Sequence, residues 1–116
     1  MGKSILNVKS YQFAIEIVVL CRNLRKKHDE FVITNQILKS GTSIGANIRE
    51  AEFAQSRADF THKMSISLKE SNETRYWLDI LSDTGYLKTD TYNNLNEKIT
   101  ELIRLLVSTV KTSKTN

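Results

Sequence analysis

The sequence predicts an all-α protein: one antiparallel up-down-up-down four-helix bundle that takes in residues 1–116 as a single domain. The chain of 116 residues has no proline and only four glycines, so long helices are not interrupted. Apolar residues recur at three- and four-residue steps in four separate segments. Only a few residues join consecutive segments, so neighbouring helices must run antiparallel. We expect helices at about 4–27, 34–54, 57–84 and 90–111.

The first helix is predicted from the regular spacing of its apolar side chains. A helix turns residues at three- and four-residue steps onto one face. The residues expected to face the core are Ile5, Val8, Tyr11, Ile15, Val18 or Val19, and Leu24. The charged stretch 27–30 has no such periodicity and is expected to form a short loop.

The second helix is expected to begin at Thr34, whose hydroxyl can accept a hydrogen bond from a free backbone N–H of the first turn. Two glycines, Gly41 and Gly45, lie inside this helix, where each costs about 1 kcal/mol. Small residues on adjacent turns let a neighbouring helix approach closely, and the same pair can also permit a bend. A phosphate-binding glycine loop is the weaker interpretation, because no strand precedes the glycines and no Gly-Lys-Ser/Thr follows them.

The third and fourth helices carry the clearest end signals. Ser56 is predicted to cap the third helix and Gly85 to stop it, while Thr89 or Asp90 is predicted to cap the fourth. The middle stripe of the third helix is small and polar. The residues expected to face the core are Phe60, Met64, Ser67, Leu68, Ser71, Thr74 or Arg75, Leu78 and Leu81 on the third helix, and Tyr92, Leu95, Ile99, Leu102, Leu106 and Val110 on the fourth.

Positive charge is concentrated in the first quarter of the chain. Residues 1–28 hold six Lys and Arg side chains against Glu16 alone, a net charge of +5, which leaves −1 for the rest of a chain whose net charge is +4. One interpretation of the cluster at 25–27 is a surface that faces phosphates. The other is that cations in the last turn of a helix stabilise its dipole. The sequence leaves both open.

Cysteine and histidine are too few for the common catalytic and metal sites. Cys21 is the single cysteine, lies in an apolar run and is expected to be a small buried hydrophobe. His28 and His62 are the two histidines, and neither belongs to a His-x-x-His or Glu-x-x-His pair. We therefore expect no enzymatic activity, metal, cofactor or small-molecule substrate. No segment is long and apolar enough to span a membrane, and no signal pattern is visible, so we expect a cytoplasmic protein.

Two further groups of residues are candidates for function. The first is a set of polar residues on faces expected to be buried or half-buried, for which a structural hydrogen-bond network is favoured over acid–base chemistry: Asn47, Glu50, Lys69, Glu70 and Glu73. The second is apolar surface beyond the main stripes, expected to contact another subunit: Phe53, Tyr76, Trp77 and Ile80.

Three stretches carry a resemblance to a known family. They are Ser43-Ile44-Gly45-Ala46-Asn47-Ile48-Arg49-Glu50-Ala51, Ala54-Gln55-Ser56-Arg57-Ala58-Asp59-Phe60 and Lys69-Glu70-Ser71-Asn72-Glu73-Thr74-Arg75-Tyr76-Trp77-Leu78. The chain resembles the bacterial four-helix bundle proteins encoded in intervening sequences of 23S ribosomal RNA genes, also called S23 ribosomal proteins. The likeness covers nearly the whole chain.

The resemblance implies a homopentamer related to the accessory proteins of diversity-generating retroelements, which look like basic barrels that bind nucleic acid and a reverse transcriptase. Together with the charge asymmetry, it predicts a non-enzymatic oligomer that binds structured RNA or a nucleoprotein partner. The residues expected to contact RNA are Arg22, Arg25, Lys26, Lys27, Arg49 and Arg57. The alternative is a protein scaffold or adaptor that binds no nucleic acid.

Overall fold

The computed structural model describes residues 4–115, which form four helices and no strand. These are α1 (Ile5–His28), α2 (Val32–Ala51), α3 (Arg57–Asp83) and α4 (Thr89–Lys114). Each helix packs against its neighbours along the chain. The fourth helix also packs against the first, and this is the least extensive of the four helix–helix contacts. The connections 29–31, 52–56 and 84–88 are too short for anything but antiparallel neighbours. The predicted all-α four-helix bundle is confirmed.

The core runs along the middle of a body that measures 47 × 24 × 19 Å. The apolar stripes predicted for α3 and α4 are buried or half-buried, as expected from their helical spacing. The largest side chains fully removed from solvent are Phe13, Ile17, Ile37, Ile44, Ile48, Leu78, Leu81, Ile99, Leu102 and Leu106.

The prediction of which face of α1 is buried was wrong. Ile5, Val8, Tyr11, Ile15, Val18 and Val19 are all exposed, and of the predicted set only Leu24 lies in the core. The buried face consists of Leu6, Asn7, Ser10, Phe13, Ile17, Leu20, Cys21 and Leu24. Both sets recur at three- and four-residue steps, so periodicity alone cannot separate them. What separates them is packing, because the buried set places Ser10 and Ile17 against the two glycines of α2.

The start of α2 also differs from the prediction. The helix begins at Val32, so Thr34 lies within its first turn and does not cap it. The cap is the carboxylate of Glu30, whose two oxygens accept hydrogen bonds from the backbone N–H groups of Ile33 and Thr34, both at 2.8 Å. Partial burial opposes ionisation of Glu30, but hydrogen bonds from three backbone N–H groups and from Thr34 outweigh it and lower the pKa of this carboxyl.

Replacement of Glu30 by Ala is expected to lower the free energy of unfolding by about 0.5–2 kcal/mol at neutral pH, the usual cost of losing an N-cap. Because the folded-state pKa is lowered, this contribution is complete above the unfolded-state pKa of about 4.3 and is lost as the pH falls through the folded-state pKa. Urea denaturation from about pH 5 to about pH 2 measures the difference. A Glu30→Gln variant, which keeps one acceptor oxygen, is the control and should lose less. A Glu30→Ala deficit that stays constant across the range contradicts this account.

The other helix ends agree more closely with the sequence. Ser56 caps α3 as predicted, its Oγ accepting a hydrogen bond from the Asp59 N–H at 3.0 Å. Gly85 has φ of 85°, the left-handed conformation expected of a glycine that stops a helix. The prediction that Thr89 or Asp90 caps α4 was wrong. The helix begins at Thr89, and the N-cap residue is Lys88, whose side chain makes no capping hydrogen bond. The ends of α2, α3 and α4 are Ala51, Asp83 and Lys114, against predicted ends near 54, 84 and 111.

The two glycines of α2 face α1 at the closest contact between these helices. A Cβ atom at Gly41 would lie 3.0 Å from Cγ2 of Ile17, and one at Gly45 would lie 3.1 Å from Oγ of Ser10. A methyl group at either glycine would therefore require the side chain of Ile17 or Ser10 to shift. The predicted close approach is confirmed, and it explains why an unbroken helix tolerates two glycines.

Hydroxyl groups join α2 to α3 within the core. Ser67 Oγ donates a hydrogen bond to the backbone carbonyl of Ile44 at 2.8 Å, and the hydroxyls of Ser40 and Thr74 are hydrogen-bonded at 2.9 Å. Ser71 Oγ donates to the Ser67 carbonyl within α3. All four side chains are buried. The small, polar stripe noted on the third helix is therefore a hydrogen-bonded seam that fixes the register of α2 against α3.

Candidate nucleic-acid interface

Four of the six residues predicted to contact RNA lie together at the end of α1. Arg22, Lys26 and Lys27 are exposed, whereas Arg25 is half-buried. His28 ends the same helix and packs edge-on against Tyr86, with ring centroids 5.2 Å apart. We call Arg22, Arg25, Lys26 and Lys27 the α1 basic cluster.

Arg25 differs from the other members because it is held by α2. Its Nε donates to Thr34 Oγ1 at 3.0 Å, and one terminal nitrogen donates to Asn35 Oδ1 at 2.6 Å. The guanidinium also lies 5.7 Å from the centre of the Phe31 ring. Arg25 therefore ties the two helices together, and the exposed cations of the cluster are Arg22, Lys26 and Lys27.

Arg49 and Arg57 lie at the opposite end of the bundle. Arg49 is in the last turn of α2, a helix of 20 residues and therefore about 30 Å long, and Arg57 begins α3. The Arg49 guanidinium stacks 5.5 Å from the centre of the Tyr11 ring. The six predicted residues thus form two separate groups, and a single ligand must span the length of the bundle to contact both.

Within residues 4–115, no hydrogen bond or ion pair joins the five residues predicted to form a polar network. Glu50 forms an ion pair with Lys63 at 2.8 Å, and Asn47 donates to the Ser43 carbonyl of its own helix at 2.9 Å. Glu73 accepts a hydrogen bond from Trp77 Nε1 at 3.2 Å. Lys69 and Glu73 are exposed, and Glu70 is half-buried. The buried network is instead the hydroxyl seam of α2 and α3, which carries no charge.

The residues predicted to contact another subunit are also divided. Tyr76, Trp77 and Ile80 share the later part of α3, where the Tyr76 and Trp77 rings pack edge-on at 5.0 Å. Phe53 is 80% exposed and lies in the turn at the other end of α3. A further exposed apolar surface was not predicted as such; we call it the α1 ridge and define it as Ile5, Val8, Ile15 and Val19. The sequence does show this surface as a second set of apolar residues at helical spacing in the first helix, but that set was predicted to face the core.

Polar contacts join α1 to α4 beside the α1 ridge. Glu16 accepts hydrogen bonds from Lys98 at 2.6 Å and Asn94 at 3.1 Å, and Lys9 pairs with Glu101 at 3.1 Å. All three are surface contacts, so each contributes little to stability. Shallow grooves remain between these two helices, lined in part by Val8, Ile15 and Val19.

Cys21 and the two histidines were the residues weighed for catalytic or metal chemistry. Burial raises the pKa of the Cys21 thiol to about 11, so it stays protonated and unreactive at neutral pH. The sulfur lies 3.6 Å from the Thr34 carbonyl, to which the thiol donates. Within this range there is no group of three His, Cys, Asp or Glu side chains that could hold a metal ion. Both histidines are exposed.

None of the four helices in the described part of the chain combines the length and the apolar character needed to cross a membrane.

The chain is similar to known proteins over nearly its whole length. Residues 3–108 match the profile of the 23S rRNA-intervening sequence protein family. Among solved structures, the chain is similar to the crystal structure of a protein of unknown function from the S23 ribosomal protein family, from Bacteroides thetaiotaomicron VPI-5482. The two are 52% identical, the match covers 92% of this chain and 99% of the other, and the TM-score is 0.91. No curated protein matches the chain. Neither description names a reaction.

Proposed function

Because the chain belongs to the 23S rRNA-intervening sequence protein family, we propose that it is a non-enzymatic, cytoplasmic protein that binds structured RNA as a homo-oligomer. The observation that carries the proposal is the α1 basic cluster. Three of its cations are exposed, and no ion pair within residues 4–115 neutralises them. Arg49 and Arg57 supply a second contact at the far end of the bundle.

The geometry of the cluster suits a phosphate backbone. Arg25 is fixed by Thr34 and Asn35, and the neighbouring Lys26 and Lys27 are long, exposed and mobile. Lysine and arginine bind phosphates chiefly through charge, so this surface positions RNA without reading its sequence. The same cations also complement the helix dipole, a role that the exposed part of the cluster can keep while it binds a ligand.

Neutralisation of the exposed cations is expected to weaken RNA binding by at least about tenfold. The test variant is Arg22→Gln/Lys26→Gln/Lys27→Gln, because glutamine keeps the helix propensity and removes the charge. Fluorescence anisotropy with a labelled, structured RNA at about 50 and 200 mM salt measures the affinity and its salt dependence. The slope of log K against log [salt] should fall by about 2–3.

The matched control is Lys39→Gln/Lys69→Gln/Arg104→Gln, which removes the same charge from exposed positions on the other three helices. Both triple variants have a net charge of +1, three below the native +4. We expect the control to bind RNA nearly as well as the native protein. Equal losses in both variants would mean that only net charge matters, and the absence of RNA binding at low salt would remove the proposal.

Self-association is the second part of the proposal, and the resemblance of the sequence gives five as the subunit number. The α1 ridge supports it, because four large apolar side chains lie exposed along one helix face, from 43% for Ile15 to 61% for Ile5. Exposed apolar surface of this extent commonly marks a protein interface. Five copies would carry a net charge of +20 from the +4 of each. Oligomerisation would therefore multiply the basic clusters available to one RNA.

The double variant Val8→Glu/Ile15→Glu is expected to dissociate the oligomer, because two carboxylates would be buried without partners. Light scattering should give about five times the subunit mass of 13.3 kDa for the native protein and a single subunit for the variant. Thr100→Glu, on an exposed position of α4, is the control and should leave the mass unchanged. A native protein that is monomeric at micromolar concentration contradicts self-association.

The α1 ridge also favours one alternative, a scaffold that recruits another protein and binds no nucleic acid. On that hypothesis the α1 ridge contacts a different protein, and the basic cluster only stabilises the end of α1. Capture of a partner that survives nuclease treatment and is unaffected by Arg22→Gln/Lys26→Gln/Lys27→Gln would favour the scaffold. Loss of the partner in either condition favours RNA.

A further inference from the structure

A groove between α1 and α2 lies beside the stacked pair of Arg49 and Tyr11. It encloses about 420 Å³, within the size range of small-ligand sites. Its lining is mostly apolar and includes the small side chains of Ala14 and Ala46, with Gly45 between the helices. The groove opens at the end of the bundle where α1 begins and α2 ends.

A buried polar side chain lines this groove. The side chain of Asn7 lines it and is only 5% exposed, and its carboxamide makes no hydrogen bond within residues 4–115. Ser10, one turn further on, donates to the backbone carbonyl of Asn7 and leaves the carboxamide free. A carboxamide on the wall of a groove can both donate hydrogen bonds to a ligand and accept them from it.

We propose that this groove binds an unpaired nucleobase of RNA, an inference that rests on the proposed RNA-binding function. The three features suit a base in different ways. The small, apolar floor accepts a flat ring, the Tyr11 ring and the Arg49 guanidinium provide surfaces for stacking, and the Asn7 carboxamide offers both donors and an acceptor to the base edge. The Arg49 charge also attracts the adjoining phosphate.

The base must be unpaired, because the edges and faces of a paired base are covered by its partner and its stacked neighbours. The site therefore gives the protein a preference for bulges, loops or ends over continuous duplex. The α1 basic cluster, at the other end of the bundle, contributes charge without this preference. An aromatic side chain of a second copy is the competing occupant, and the experiment separates the two.

The first experiment uses nuclear magnetic resonance on the native protein with AMP, UMP, CMP and GMP. At least one nucleotide should shift the side-chain NH₂ signals of Asn7. Ribose 5-phosphate, which has the same charge and sugar but no base, is the control and should leave them in place. Equal shifts with ribose 5-phosphate would reduce the site to an anion site at Arg49. Asn7 signals that respond to dilution of the protein and ignore every nucleotide would assign the groove to a neighbouring copy. Either result overturns the proposal.

The second experiment compares a continuous RNA hairpin with the same hairpin carrying one bulged nucleotide. The native protein should bind the bulged form roughly 5- to 100-fold more tightly, the range expected for stacking one base. Ala46→Leu, at an exposed position that lines the groove, should abolish the difference. Thr100→Leu makes an equally apolar change on α4 and should preserve it.

The outcomes separate the two proposals. Equal, salt-dependent binding of both hairpins keeps the proposed function and overturns the base site. Binding of neither hairpin overturns both. A bulge preference that survives Ala46→Leu overturns the assignment to this groove.

Discussion

Replacement of Ile17 by Ala is expected to lower the free energy of unfolding by about 2–5 kcal/mol, the range for truncating a large side chain in a closed core. Ile17 has no exposed surface and packs against Gly41 at the closest contact of α1 with α2. Urea denaturation, with the m-value checked for constancy, measures the loss.

Ile15→Ala is the matched control for this prediction. It removes the same atoms from the same helix, two residues away, but from a side chain that is 43% exposed. Its cost should be less than half that of Ile17→Ala, and any part that depends on protein concentration reports the covering of the α1 ridge by another copy. A larger loss for Ile15→Ala than for Ile17→Ala would mean that α1 is buried on its other face.

The effect of Gly41→Ala on the free energy of unfolding is expected to depend on the residue at position 17: destabilising with Ile17 and stabilising in the Ile17→Ala background. In the native protein the new methyl group would lie 3.0 Å from Ile17 Cγ2, and overpacking costs about 1–3 kcal/mol. The gain in helix propensity, about 1 kcal/mol, offsets only part of this cost. In the Ile17→Ala background the conflicting atoms are gone, so Gly41→Ala should stabilise the protein by about 1 kcal/mol.

In a double-mutant cycle, the two replacements together should therefore be less destabilising than the sum of their separate effects, by about 1–3 kcal/mol. Gly45→Ala in the Ile17→Ala background controls for a general effect of glycine replacement, because it meets Ser10 and not Ile17. That variant should show no coupling to position 17. Additive effects of Gly41→Ala and Ile17→Ala would contradict the close approach of α1 and α2 at this point.

The fold class and most of the core could be predicted because three helices have one apolar stripe each. In α4, Leu95, Ile99 and Leu102 follow a single period and were placed correctly. In α1, two stripes compete, and the outcome depends on contacts that the local sequence does not contain. Gly41 and Gly45 predicted that a helix approaches closely, but not which helix or which of its faces.

The candidate surfaces were less predictable because they depend on tertiary distance. Arg49 and Arg57 are close in sequence and remain at one end of the bundle, whereas Arg22 lies at the other end, and no short pattern indicates that separation. The cap of α2 was missed for a different reason. Glu30 acts from outside the helix through a long side chain, so the shorter Thr34 was the more typical candidate. The proposed base site could not be predicted, since Asn7 and Arg49 line one groove only in the folded chain.

The small contact between α1 and α4 bears on how fast the chain folds. Nearly all packing joins helices that are consecutive along the sequence, and among the described helices only the α1–α4 contact joins distant parts of the chain. Contact order is therefore low, and bundles of this kind collapse and organise within microseconds to milliseconds. We expect the α2–α3 hairpin, which has the most extensive packing, to be the folding nucleus onto which α1 and α4 dock.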